Sequence, residues 1–261
     1  MRGAGFLTIT GLLVLLLAAP TLVILGASFT AGNIIAFPPE GFSLRWYGEV
    51  LGSRDLQQAF LRSLYASLIC TAIAIPAGTL AAIALARHRF RFGGAIELYL
   101  LLPLTAPLIA SGLGLMAIYG EARLLGSLWP VGVALCVINL PFMIWAVTAS
   151  VNALDPDLEN AARNCGAPPL QTFLFVTLPA VAPGVIAGGL LMFILAFNEF
   201  LVSLLLTDAR TVTLPVLIYN SIRSIITPDL AAVSVVYIAV AGLAIAAIDR
   251  FVGLDVFLRS K

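Results

Sequence analysis

Leu124 to Leu154 reads LLGSLWPVGVALCVINLPFMIWAVTASVNAL and contains no charged residue. A helix needs about 20 residues, at 1.5 Å each, to cross the hydrocarbon of a bilayer. This run is long enough. It is apolar on every face, and it does not alternate as a barrel strand would.

The rest of the chain repeats the pattern. Of 261 residues, 61% are hydrophobic and 10% are charged. Ordinary soluble domains carry roughly 25% charge, so a soluble enzyme and a disordered protein are both excluded. A net charge of +1 and the lack of a basic run argue against a nucleic-acid binder. Further charge-free runs cover 3–39, 63–86, 98–120 and 230–248, and an apolar stretch from Ala180 to Thr207 is broken by Glu199. We therefore expect an all-α membrane protein of one domain, 1–261. Its six spans fall at about 6–29, 61–86, 96–119, 129–152, 180–207 and 230–249. The first run exceeds a usual signal-peptide core and is expected to stay as a span.

Six spans put both termini on one side. With that side cytoplasmic, Arg2, Arg87, Arg89, Arg91, Arg163, Arg250, Arg259 and Lys261 lie inside. Arg45, Arg54, Arg62, Arg123, Arg210 and Arg223 lie outside. The tight cluster Arg87-His88-Arg89-Phe90-Arg91 supports this orientation, because short loops carry the positive-inside signal. Cys70, Cys136 and Cys165 form no CxxC or Cys/His cluster. Neither a disulfide framework nor a metal site is expected.

Past the opening stretch comes a polar loop, 153–179. Asp155 is placed to cap a helix that has Pro156 in its first turn. Ala161 and Ala162 are small enough to let another surface approach. Gly166 stands where that helix should stop, and Pro168-Pro169 turn a corner. A second short amphipathic stretch with Phe173 and Val176 precedes Pro179, which opens the fifth span. The expected unit is two short helices joined at an angle, a rigid lever for a partner to grip.

This loop resembles the EAA loop of permease subunits of bacterial ABC importers. The family pattern is Glu-Ala-Ala, three residues, Gly, nine residues, Ile, one residue, Leu-Pro. The chain supplies Ala161-Ala162, Gly166, Val176 and Leu178-Pro179 at those spacings. Asn160 stands where the glutamate usually stands, and Glu159 immediately precedes it. Phe37-Pro38-Pro39, Gly41 to Tyr47, Leu102 to Pro107, Phe197-Asn198-Glu199-Phe200 and Thr213-Leu214-Pro215 resemble the spermidine/putrescine branch of these permeases.

The resemblance implies a type I importer fold in the bacterial inner membrane. It implies a second, related permease subunit, two cytoplasmic ATPase subunits that bind ATP and Mg, and a periplasmic binding protein. Contact with the ATPase would fall to Glu159, Asn160, Ala161, Ala162, Gly166 and Pro179. The chain itself has no GxxxxGK[ST], and its only lysine is Lys261, so ATP must be handled elsewhere.

Glu199 is the one ionisable residue well inside a predicted span. A carboxylate near mid-bilayer costs about 2.5–3.5 kcal/mol on insertion scales. The resemblance places such an acidic residue on the pathway, where it would attract a cationic solute such as putrescine or spermidine. Asn198 and Ser203 would be its polar neighbours. The alternative is a partner arginine or the outer interface. Trp46 and Tyr47 are candidates for an aromatic wall against a cation or for interfacial anchors. Gly112, Gly114, Gly188 and Gly189 are expected at close-packing positions, and Asn139 at an interhelical hydrogen bond. Competing functions are import of another small organic solute, an ATP-independent carrier or channel, and an intramembrane enzyme. The carrier would show paired broken helices or an inverted repeat. The enzyme lacks a placed base, since His88 lies outside the spans.

Overall fold

The computed structural model describes residues 2–35, 37–88, 90–224 and 227–252. Arg89, Arg259 and Lys261 of the orientation argument, and both chain ends, lie outside them. In chain order the helices are α1 Arg2–Ala27, α2 Arg45–Gly52, α3 Arg54–Arg87, α4 Gly93–Thr105, α5 Leu108–Glu121, α6 Leu128–Ala153, α7 Pro156–Asn164, α8 Pro169–Thr172, α9 Leu178–Phe197, α10 Leu201–Leu206, α11 Leu214–Ser224 and α12 Pro228–Val252. A π-turn, Phe173–Thr177, links α8 to α9. Strands are absent among the described residues.

Among the described residues, four stretches are long and apolar enough to cross a membrane: Ile9–Ala27, Arg54–Arg87, Leu128–Ala153 and Pro169–Phe197. α4 and α5, bent by 96° across Ala106-Pro107, make a fifth if taken as one span. The residue before a proline is pushed to extended geometry, and Ala106 has φ −77°, ψ 137°. The expected 96–119 span is thus a broken pair. α12 covers the expected sixth span, with a shorter apolar stretch over Pro228–Val240.

The expected fifth span, 180–207, is also two pieces. α9 ends at Phe197, and α10 restarts at Leu201. At its N-terminal end this helix begins earlier than expected: α8, the π-turn and α9 run on as one helical stretch from Pro169. The second arm of the loop is therefore the start of the span, not a separate helix. Pro179 is the physical reason. It has no N–H to give the carbonyl of Phe175, and its ring crowds that oxygen. The π-turn absorbs the defect, with the N–H of Leu178 donating five residues back to the carbonyl of Phe173.

The chain forms two compact units. One holds the described residues of 1–58 and 217–246, the other those of 59–216 and 247–261. In the first, a closed loop follows α1. The N–H of Ala31 donates to the Glu40 carbonyl at 3.0 Å, and that of Ser43 donates to the Phe29 carbonyl at 2.8 Å. Phe29 stacks on Phe42 with centroids 5.1 Å apart. The apolar residues of α1 from Phe6 to Leu17 are exposed, as lipid-facing side chains are.

In the second unit α6 and α9 share an extensive interface. Glycines make it possible. A Cβ on Gly184 would lie 2.8 Å from the Ala146 carbonyl oxygen, and one on Gly188 would lie 2.6 Å from the Met143 sulfur. Gly189 sits against Ile75 and Gly112 against Leu205, while Gly114 faces open space. Gly184 escaped the sequence reading, although Gly184-x-x-x-Gly188 is a helix-packing spacing. Asn139 donates to the Leu135 carbonyl of its own helix at 2.9 Å. In the loop after α10, Asp208 accepts from the Thr211 hydroxyl at 2.8 Å and from the N–H groups of Arg210 and Thr211. These bonds, the Thr211 hydroxyl first, hold its carboxyl below the usual carboxylate range.

Candidate functional site

The loop between α6 and α9 is an elbow fixed at both ends of its first arm. The Asp155 carboxylate accepts from the N–H of Asp157 at 2.9 Å, and Pro156 follows the cap, so α7 begins where expected. It ends in a Schellman motif: Ala167 N–H donates to the Ala162 carbonyl at 3.1 Å, and Gly166 N–H donates to the Arg163 carbonyl at 2.9 Å. Gly166 has φ +85°, the left-handed conformation that closes this motif and favours glycine. A Cβ there would meet nothing within 4 Å, so the demand is on the backbone alone.

Neighbouring residues on a helix point about 100° apart, and that angle separates Glu159 from Asn160. Glu159 is 8% exposed and turns inward; Asn160 and Ala161 are exposed. Glu159 therefore does not take the outward place of the motif glutamate. Its Oε1 accepts from the Thr177 hydroxyl at 2.7 Å, and its Oε2 lies 3.3 Å from Nε of Arg87, the last residue of α3. Ala162 is half-buried, three residues along on the same side. Gly166 and Pro179 are exposed, as are the apolar side chains of Leu158, Leu170 and Phe175. Those three, with Arg87 and Thr177, were missed from sequence. Arg87 was visible there only as one member of a basic cluster. Cys165, the C-cap residue of α7, is exposed, whereas Cys70 and Cys136 are buried.

Glu199 sits in the break between α9 and α10. Its carboxylate caps the short helix, accepting from the N–H of Val202 at 3.0 Å and from that of Ser203 at 3.0 Å. Ser203, expected as a polar neighbour of Glu199, meets it through its backbone N–H. These bonds offset part of the cost of withdrawing the half-buried carboxylate from water. The Asn198 side chain donates to the Ile194 carbonyl at 2.8 Å and is itself exposed. Ser203 is buried.

Trp46 and Tyr47 lie in the other compact unit. Trp46 is buried, its indole N–H donates to the Thr30 carbonyl at 3.0 Å, and the Arg45 guanidinium lies 4.2 Å over its ring. Tyr47 shares a 2.6 Å hydrogen bond with Ser28. Trp46 is therefore occupied in holding the loop after α1, with one face already taken by a cation. Among the described residues no group of His, Cys, Asp or Glu is arranged to hold a metal ion.

Comparison with known proteins adds the following. The family model described as "Binding-protein-dependent transport system inner membrane component" matches residues 74–254. The putrescine transport system permease protein PotI of Escherichia coli K12 is 28% identical, over 87% of this chain and 83% of that protein. The spermidine/putrescine transport system permease protein PotC of Haemophilus influenzae is 26% identical, over 82% of each. Among solved structures, a chain of a bacterial ABC transporter involved in import of the acidic polysaccharide alginate superimposes with a TM-score of 0.68. It is 16% identical, and the match covers 94% of both chains.

Proposed function

The chain belongs to the family of inner membrane components of binding-protein-dependent transport systems, and on that premise we propose that it lines the route of a polyamine into the cell. It is an ABC importer permease of the inner membrane. The proposal adds six crossings with both ends in the cytoplasm, a second related permease chain and two ATPase subunits carrying ATP and Mg. A periplasmic binding protein delivers putrescine or spermidine.

The observation that carries the reading is the elbow. It is capped by Asp155, closed at Gly166, exposed along Asn160 and Ala161, and joined without a slack linker to α6 and, through the π-turn, to α9. An ATPase that grips Asn160, Ala161, Ala162 and the Gly166 corner then pushes on two spans at once. Pro179 sets where the second span leaves the elbow. Alternating access follows from rocking those spans together.

The cationic cargo is supported by Glu199, a carboxylate held by backbone donors at a break in a span, and by the PotI and PotC relatives. Ser203 bonds it through its backbone N–H, and Asn198 precedes it in the chain. Import of a different small organic solute by the same machinery is the second reading, because relatives at 25–28% identity leave room for a changed cargo.

The test is capture of the ATPase encoded with this chain on the tagged, detergent-solubilised permease. The unaltered chain is expected to retain it. Gly166→Val, which forces a β-branched residue to positive φ, is expected to lose it while remaining monodisperse. Equal capture by both proteins counts against the elbow as the docking element.

A further inference from the structure

The elbow is continuous in sequence with α6 and α9, whereas α3 meets it through the Arg87 side chain. We propose that Arg87, Glu159 and Thr177 form a clasp that obliges α3 to move with the elbow, making Arg87 and Glu159 positioning residues for transport. The inference rests on the function proposed above and adds a third moving span to it.

One buried carboxylate joins three elements. Glu159 belongs to α7; its Oε1 accepts a hydrogen bond from the Thr177 hydroxyl at the end of the π-turn, and its Oε2 lies 3.3 Å from the Arg87 guanidinium at the end of α3. Both charges are largely withdrawn from water, with 23% of the Arg87 side chain and 11% of the Glu159 side chain exposed. A charge so placed is costly to leave unmatched, so separating α7 from α3 is opposed. The grip is nonetheless not rigid. Nε and one terminal nitrogen of Arg87 have no aligned hydrogen-bond acceptor among the described residues, so the attraction is Coulombic and survives small rotations. The pair borders a cleft of about 410 Å³ whose wall includes Ile83, His88, Asn160 and Arg163. The end of α3 therefore has room to swing without losing its partner.

The motif glutamate would sit at Asn160 and face outward. Here the carboxylate is displaced by one residue and faces inward. The charge at the elbow is thus used between spans, which is why an exposed docking role does not account for it.

Two measurements on the full chain test this. In lipid nanodiscs, Glu159→Gln keeps the shape and the acceptor for Thr177 but removes the charge. Hydrogen exchange across 156–164 and 82–87 is expected to speed up in that variant and in Arg87→Gln, and to return toward the unaltered level in the swap Arg87→Glu/Glu159→Arg. In the reconstituted complex with ATPase and binding protein, Glu159→Gln is expected to lower putrescine moved per ATP hydrolysed by about tenfold. Exchange unchanged in both single variants overturns the clasp, as does a swap no better than the single changes. The exchange arm needs neither ATP nor substrate. A complex that moves no putrescine would therefore sink the proposed cargo, while exchange would still decide the clasp.

Discussion

Glu199 is anchored by its own chain. Two backbone N–H groups hold its carboxylate, so the charge is fixed in place in the break between α9 and α10. Glu199→Gln leaves one oxygen to cap α10 and removes the charge. Loss of the stronger, charge-assisted cap costs about 1 kcal/mol of stability, whereas loss of attraction for a dication is expected to cut putrescine uptake about tenfold or more. Uptake by reconstituted vesicles, set beside a thermal-unfolding curve, separates the two effects. An unchanged uptake removes Glu199 from the pathway. The residue itself was legible, because a lone charge in an apolar run stands out. Its break was not, since Asn198-Glu199-Phe200 contains neither glycine nor proline to announce one. Glu159 shows the same limit. Reading the motif by spacing finds α7, but only the helix angle decides whether residue 159 or 160 looks outward.

At the scale of elements, the caps and the stops of α7 were readable because each rests on a local rule: Asp before Pro at one end, Gly in the left-handed region at the other. The second arm was misjudged. Pro179 suggests a fresh helix start, but a single π-turn let the chain pass the missing N–H and run straight into the span. The α4–α5 bend was missed because Leu102 to Pro107 is apolar enough to look like part of one continuous crossing. The α6–α9 contact yields a prediction. Gly184→Ala puts a Cβ 2.8 Å from the Ala146 carbonyl oxygen, a backbone atom that cannot rotate aside. Helices forced apart in this way lose about 1–3 kcal/mol, read as a lowered melting temperature in detergent. Gly114→Ala, which meets nothing within 4 Å, serves as the control and is expected to melt like the parent.

For the molecule as a whole, composition alone settled the membrane, because 10% charge cannot cover a water-facing surface. The number of crossings was harder. Charge-free runs count apolar length, while the backbone also bends and restarts, so the described residues hold four helices long enough to span, or five with the bent pair. The site divides in the same manner. Chemistry-bearing side chains were found one by one, but partners distant in sequence, such as Arg87 and Glu159, come together only through the fold. Sequence periodicity contains no signal for that pairing. Trp46 reads from sequence as an aromatic wall or an interfacial anchor, and only the three-dimensional loop shows that Arg45 lies over its ring and that its indole N–H is bonded to the Thr30 carbonyl.

Cys165 lies at the corner of the elbow, while Cys70 and Cys136 are sealed in the interior. A maleimide dye added to the native chain should therefore attach at one place, the joint through which the motor is proposed to push. Its labelling rate should fall when the motor is seated, and a fluorophore already in place would give a live readout of each nucleotide cycle with no engineered handle.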